Sequence, residues 1–155
     1  MSKVYSGLFF GTKGAKSSLP LRISPGVEET TASVWRHVKP TADNYLNTQI
    51  PRSFEVDVPK TSATPLGKMW THGNATEHMY EALTSIKATP LIKVGNPNLY
   101  AQFILYDYYK SLGRAVEKGV KYSGTVTVGN WEFAFSKPRP GAKYPVVKHA
   151  LFKGL

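Results

Sequence analysis

The sequence predicts an α+β fold, with helices in the N-terminal two-thirds packed on a small antiparallel β-sheet that the C-terminal hairpin and last strand complete. Three observations carry this expectation. Met79, Ala82, Leu83 and Ile86 recur at helical spacing over about Ala75 to Lys87. Leu99, Phe103, Tyr106 and Leu112 do the same between Pro97 and Val116. Near the end, Thr125–Val128 and Trp131–Phe135 alternate apolar and polar residues around Gly129-Asn130, the pattern of a β-hairpin. The 155 residues are expected to form a single domain, 1–155, long enough to bury a proper core.

In chain order, Lys3–Thr12 reads as a strand rich in β-branched and aromatic residues. The loop Gly11–Ser18 carries Lys13, which can reach a phosphate, but it lacks the P-loop order and also reads as a plain surface turn. Leu19–Thr31 is an irregular connection punctuated by Pro, Gly and Ser. A short helix is expected near Ser33–Val38, ended by Pro40. His37, flanked by Arg36 and Lys39, reads as a lone surface histidine. Arg52–Val58 alternates between Pro51 and Pro59, which suggests an edge strand, and Thr61–Lys68 is a loop. The first long helix is expected to start with Asn74 as N-cap and Glu77 three residues on. Leu91–Val94 is a short strand or linker. Asn96-Pro97 opens the second helix and Gly119 closes it, with its aromatic residues packed on a sheet. Lys137–Lys143 is a basic loop stiffened by proline. Tyr144–Phe152 is the last strand, and alternation puts His149 on the face of Val147 and Leu151.

Charge is the most informative bulk property. Lys and Arg number 20 against 10 Asp and Glu, a net +10. Lys110–Leu155 holds nine basic residues opposed by Glu117 and Glu132, so this segment carries +7. Such a field attracts a polyanion, with nucleic acid leading and an acidic protein as the plainer alternative. The absence of cysteine excludes disulfides, thiolate metal ligands and cysteine nucleophiles. A zinc site would need its ligands from His, Asp and Glu alone, so no metal and no cofactor is expected. No apolar run approaches the roughly 20 residues of a membrane-spanning helix. The N-terminus has no signal-peptide pattern, so an export address would lie elsewhere.

The stretch Trp70–Glu81 holds the leading candidates. His78 and Glu81 lie one helical turn apart beside the apolar face of the expected helix. A histidine next to a carboxylate at the edge of a core suits acid–base chemistry. The plainer reading has Glu77 capping, Glu81 solvated and His78 packed at a boundary. His149 is a second acid–base candidate, or a structural histidine facing the core. Arg139, Lys137 and Lys143 can supply phosphate-binding charge.

Two segments resemble the C-terminal toxin domains of bacterial polymorphic toxins, the effectors of contact-dependent and type VII (LXG-type) competition systems. Asn74-Ala75-Thr76-Glu77-His78-Met79-Tyr80-Glu81 is similar to their Asn-Ala-Thr-x-His-Met-x-Glu helix start. Trp131–Arg139, followed by Tyr144–Ala150, is similar to their closing pattern. The resemblance implies a small helix-plus-sheet nuclease of the barnase, EndoU, colicin and RelE group. It implies a cytotoxic, metal-independent ribonuclease that uses the RNA 2′-hydroxyl as nucleophile. His78, His149, Arg139, Glu81, Thr76 and His72 would form the catalytic set, and Lys137, Lys143, Lys13 and Lys148 would bind substrate. The implied partners are RNA and a cognate acidic immunity protein. The free domain would be a monomer, secreted or delivered into a target bacterium as part of a larger effector. The alternatives are a non-catalytic domain that binds RNA or an acidic protein, and a metal-dependent DNase.

Overall fold

Three strands come early, β1 (Val38–Pro40), β2 (Phe54–Asp57) and β3 (Lys68–Thr71), and three come late, β4 (Val126–Val128), β5 (Trp131–Ser136) and β6 (Val146–Phe152). Between the two sets lie helices α1 (Gly73–Ile86) and α2 (Pro97–Lys118), and a 3-10 helix, Thr31–Arg36, precedes β1. The computed structural model describes residues 31–86 and 97–153. The strand expected at Lys3–Thr12, the loop with Lys13 and the segment Leu91–Val94 lie outside the described residues. Val34–Leu155 forms one compact unit.

The strands make one six-stranded sheet in the order β1-β2-β3-β6-β5-β4. The fold is α+β as expected, but strands flank the helices on both sides, so helices are not confined to the first two-thirds. The sheet is also mixed rather than antiparallel. β3 runs parallel to β6, joined at Trp70↔Val146 and Thr71↔Val147. The sequence reading missed β3 because Lys68–Thr71 is short and runs straight into a helix start. β2 is not at an edge. Pro51 and Pro59 lie outside its ladder and leave its hydrogen bonds intact, so among the described strands the edge falls to β1, whose last residue is Pro40.

One sheet face is the core. Trp131, Phe133 and Phe135 of β5 share it, and Tyr108 of α2 meets both Trp131 and Phe133 edge-on. Tyr108 also meets Phe54 of β2, and its hydroxyl lies 2.7 Å from that of the buried Thr71. The aromatic residues of α2 therefore serve packing, and Tyr108 is fully buried. Gly119 ends α2 with φ +124°, and its N–H reaches the Val116 carbonyl. Gly129-Asn130 forms the expected two-residue turn between β4 and β5.

Register defines the opposite face. Lys39, Glu55, Trp70, Val146 and Ser136 align across β1, β2, β3, β6 and β5. Toward its end, β6 departs from simple alternation. Ala134 pairs with His149, yet the next residue, Phe135, pairs with Val147. Lys148 is thus an extra residue in a β-bulge. The bulge puts Val147 and Ala150 on the core face with Phe135 and Phe133. His149 goes to the other face, with Leu151 but not, as alternation predicted, with Val147.

β3 supports β6 only as far as Val147. The chain then turns into α1, which packs mainly on β6. Ala75, Met79 and Leu83 are its buried apolar residues among those described, spaced one turn apart. No described helix is long and apolar enough to cross a membrane.

Candidate functional site

α1 begins two residues earlier than expected, and its cap is His72 rather than Asn74. The His72 carbonyl accepts from the amides of Ala75 and Thr76 at 3.0 and 3.1 Å. Its ring Nδ1 accepts from the Asn74 amide at 3.1 Å. An imidazole can do the work of the usual oxygen cap, because its unprotonated nitrogen satisfies one of the orphan donors of the first turn. With Nδ1 so engaged, neutral His72 carries its hydrogen on Nε2. Burial first, and then Arg139, hold its pKa below the ordinary value. The His72 amide also donates to the Val147 carbonyl, which ties the cap to β6.

One and a half turns on, His78 faces β6. Its ring meets that of His149 edge-on, with centroids 5.2 Å apart and planes at 78°. His78 Nδ1 lies 3.1 Å from the Glu81 carboxylate. The His78 side chain is 34% exposed and that of Glu81 60% exposed, so this pair is open to solvent. His149 is half-buried. Two imidazoles from distant parts of the chain therefore meet beside a carboxylate, at a place water reaches.

Trp70 and Arg139 extend the same face. The Arg139 guanidinium lies 5.2 Å from the Trp70 ring centroid, and His72 meets that ring edge-on. The ladder pairs Val147, whose carbonyl His72 holds, and His149 with adjacent residues of β5, Phe135 and Ala134. The two groups thus occupy neighbouring positions along β6.

Other candidates fall elsewhere. Thr76 is fully buried. Its hydroxyl donates to the Arg52 carbonyl at 2.8 Å and lies 3.0 Å from the Tyr45 hydroxyl. It anchors α1 to the loop before β2 and does not face the histidines' open side. Tyr45 in turn stacks on Tyr80, and the Arg52 guanidinium lies 4.6 Å from the Tyr45 ring centroid. Lys148 and Lys143 are exposed, and Lys137 sits over the Tyr122 ring at 6.0 Å. His37 is not a lone surface residue. Its Nδ1 lies 3.4 Å from Asp57, which also takes a 2.7 Å bond from Lys68, and its ring stacks on Tyr109. The bond to Asp57 raises the Lys68 pKa. Among the described residues, no three His, Asp or Glu side chains gather as metal ligands would.

The sequence reading missed Trp70 as a site residue. Its signal was present: an aromatic residue two positions before a histidine, in a strand too short to recognise. The chain matches no family model and no curated protein.

Proposed function

We propose that this chain is a cytotoxic ribonuclease that cleaves RNA without a metal ion. The observation that carries the proposal is the meeting of His78, held by Glu81, with His149 on a solvent-facing edge of β6. Glu81 accepts from Nδ1 of His78 and leaves the Nε2 lone pair to take a proton from the RNA 2′-hydroxyl. The 2′-oxygen attacks the adjacent phosphorus, and the bond from phosphorus to the 5′-oxygen breaks. His149, protonated, gives its proton to that leaving oxygen, and a 2′,3′-cyclic phosphate remains. Arg139 and the Nε2–H of His72 stabilise charge on the pentacoordinate phosphorane. Lys137, Lys143 and Lys148 attract the backbone, and so does Lys13 by its charge. Thr76 is a positioning residue. The toxin resemblance supports a role in competition between bacteria, with action inside a target cell and neutralisation by an acidic immunity protein matched to the +10 charge.

The test is incubation of purified protein with total bacterial RNA, with and without EDTA. His78→Ala and His149→Ala proteins run in parallel. Discrete fragments are expected to persist in EDTA, and each variant should lose about 10²- to 10⁴-fold in rate. Intact RNA in every lane, from folded protein, would overturn the proposal. The concentration of charge in Lys110–Leu155 favours a second reading as a non-catalytic RNA binder. In that case the histidine variants bind like the parent, and only loss of basic residues weakens binding.

A further inference from the structure

We infer that the Trp70 ring is a stacking platform for a nucleobase of single-stranded RNA, and that Arg139 is a latch which the base displaces. The inference rests on the reading of RNA as the ligand. It starts from the way Trp70 is held. Its indole Nε1 donates to Thr41 Oγ1 at 3.1 Å, and His72 abuts the ring at 90° with centroids 5.5 Å apart. These contacts fix the plane of the ring, which is half-buried rather than enclosed. The ring lies in the row of Lys39, Glu55 and Ser136, on the face opposite the aromatic core. By contrast, Trp131 is fully buried on the core face, with Nε1 bound to Asp107.

The Arg139 guanidinium covers Trp70, and Arg139 itself is exposed. It belongs to the turn closed by Ala142 N–H to the Arg139 carbonyl at 2.8 Å, with Gly141 at φ +80°. No carboxylate among the described residues forms an ion pair with Arg139. An exposed cation–π contact is weaker than base–aromatic stacking. A base can therefore take the ring, and the displaced guanidinium becomes available to the phosphate of the same nucleotide. The exchange adds a bound base without losing the cation, and it works for any base because every base has a π-face.

The experiment follows tryptophan emission while the intact chain is titrated with adenosine 5′-monophosphate and, separately, with ribose 5-phosphate. The nucleotide is expected to quench emission saturably, and the base-free sugar phosphate is not. Trp70→Phe should lose most of the quench, and Trp70→Ala should weaken nucleotide binding about ten-fold. Ribose 5-phosphate binding as tightly as the nucleotide would overturn the inference and reduce the site to a phosphate contact. Absence of quenching by the nucleotide, or a quench that survives Trp70→Phe, would also overturn it. The first comparison needs no variant, so it stands even if Trp70→Ala fails to fold. Base binding in a protein that leaves RNA intact would end the nuclease reading but not this one. Cleavage of RNA without nucleotide quenching would do the reverse.

Discussion

His72 works at three tasks with one ring and its own backbone: it caps α1, ties that cap to β6, and braces Trp70. The cap requires a neutral imidazole, since protonation removes the accepting lone pair and places a cation at the positive end of the helix. Burial and Arg139 depress its pKa from 6.5 in the folded chain. As pH falls through about 6.5, the unfolded chain therefore takes up this proton before the folded one does. The stability His72 contributes is complete above that pH and is lost as pH falls toward the folded-state pKa. His72→Asn keeps an acceptor at the cap and does not titrate. Its melting temperature should fall less between pH 7 and pH 5 than that of the parent chain; identical falls in both would refute the role. Residue type alone puts His72 among the candidates and predicts Asn74 as the cap. Nothing in residue type distinguishes a capping histidine from a free one, because the distinction is made by the direction of the ring.

The long helices and the C-terminal hairpin were legible because each is specified locally, by periodicity, by Asn96-Pro97 and Gly119, and by Gly129-Asn130. β3 was not, since four residues between a loop and a helix have no periodicity to read. The parallel joining of β3 to β6 was equally hidden, because it is a relation between segments distant in sequence. That joining decides where α1 lies, and hence that His78 meets His149. The small side chain of Ala150, fully buried on the core face of β6, lies in the strand on which α1 mainly packs. Ala150→Leu should destabilise the fold by about 1–3 kcal/mol through overpacking. Urea unfolding measures this, and a loss under about 0.5 kcal/mol would show that the contact has room to spare.

Over the whole molecule, the charge of +10 sets how the chain meets a polyanion. Each phosphate neutralised on a single strand contributes about −0.7 to the slope of log K against log salt. With Lys143, Lys148 and Arg139 all exposed beside or on β6, the slope for a short RNA should be at least about −2. Anisotropy titrations from 50 to 200 mM salt would read it, and a flat response would mean that charge does not drive binding. Composition made this electrostatic character plain from the outset, whereas the placement of His149 depended on the bulge at Lys148. Ahead of Lys148, β6 is written in one frame, and after it in the other. Substitution changes which letter stands at a position but cannot change the frame; only gain or loss of a residue can. Read without Lys148, Val147, His149 and Ala150 simply alternate in, out and in, so the outward aim of His149 belongs to a strand that tucks one residue away and pairs as though it were one residue shorter.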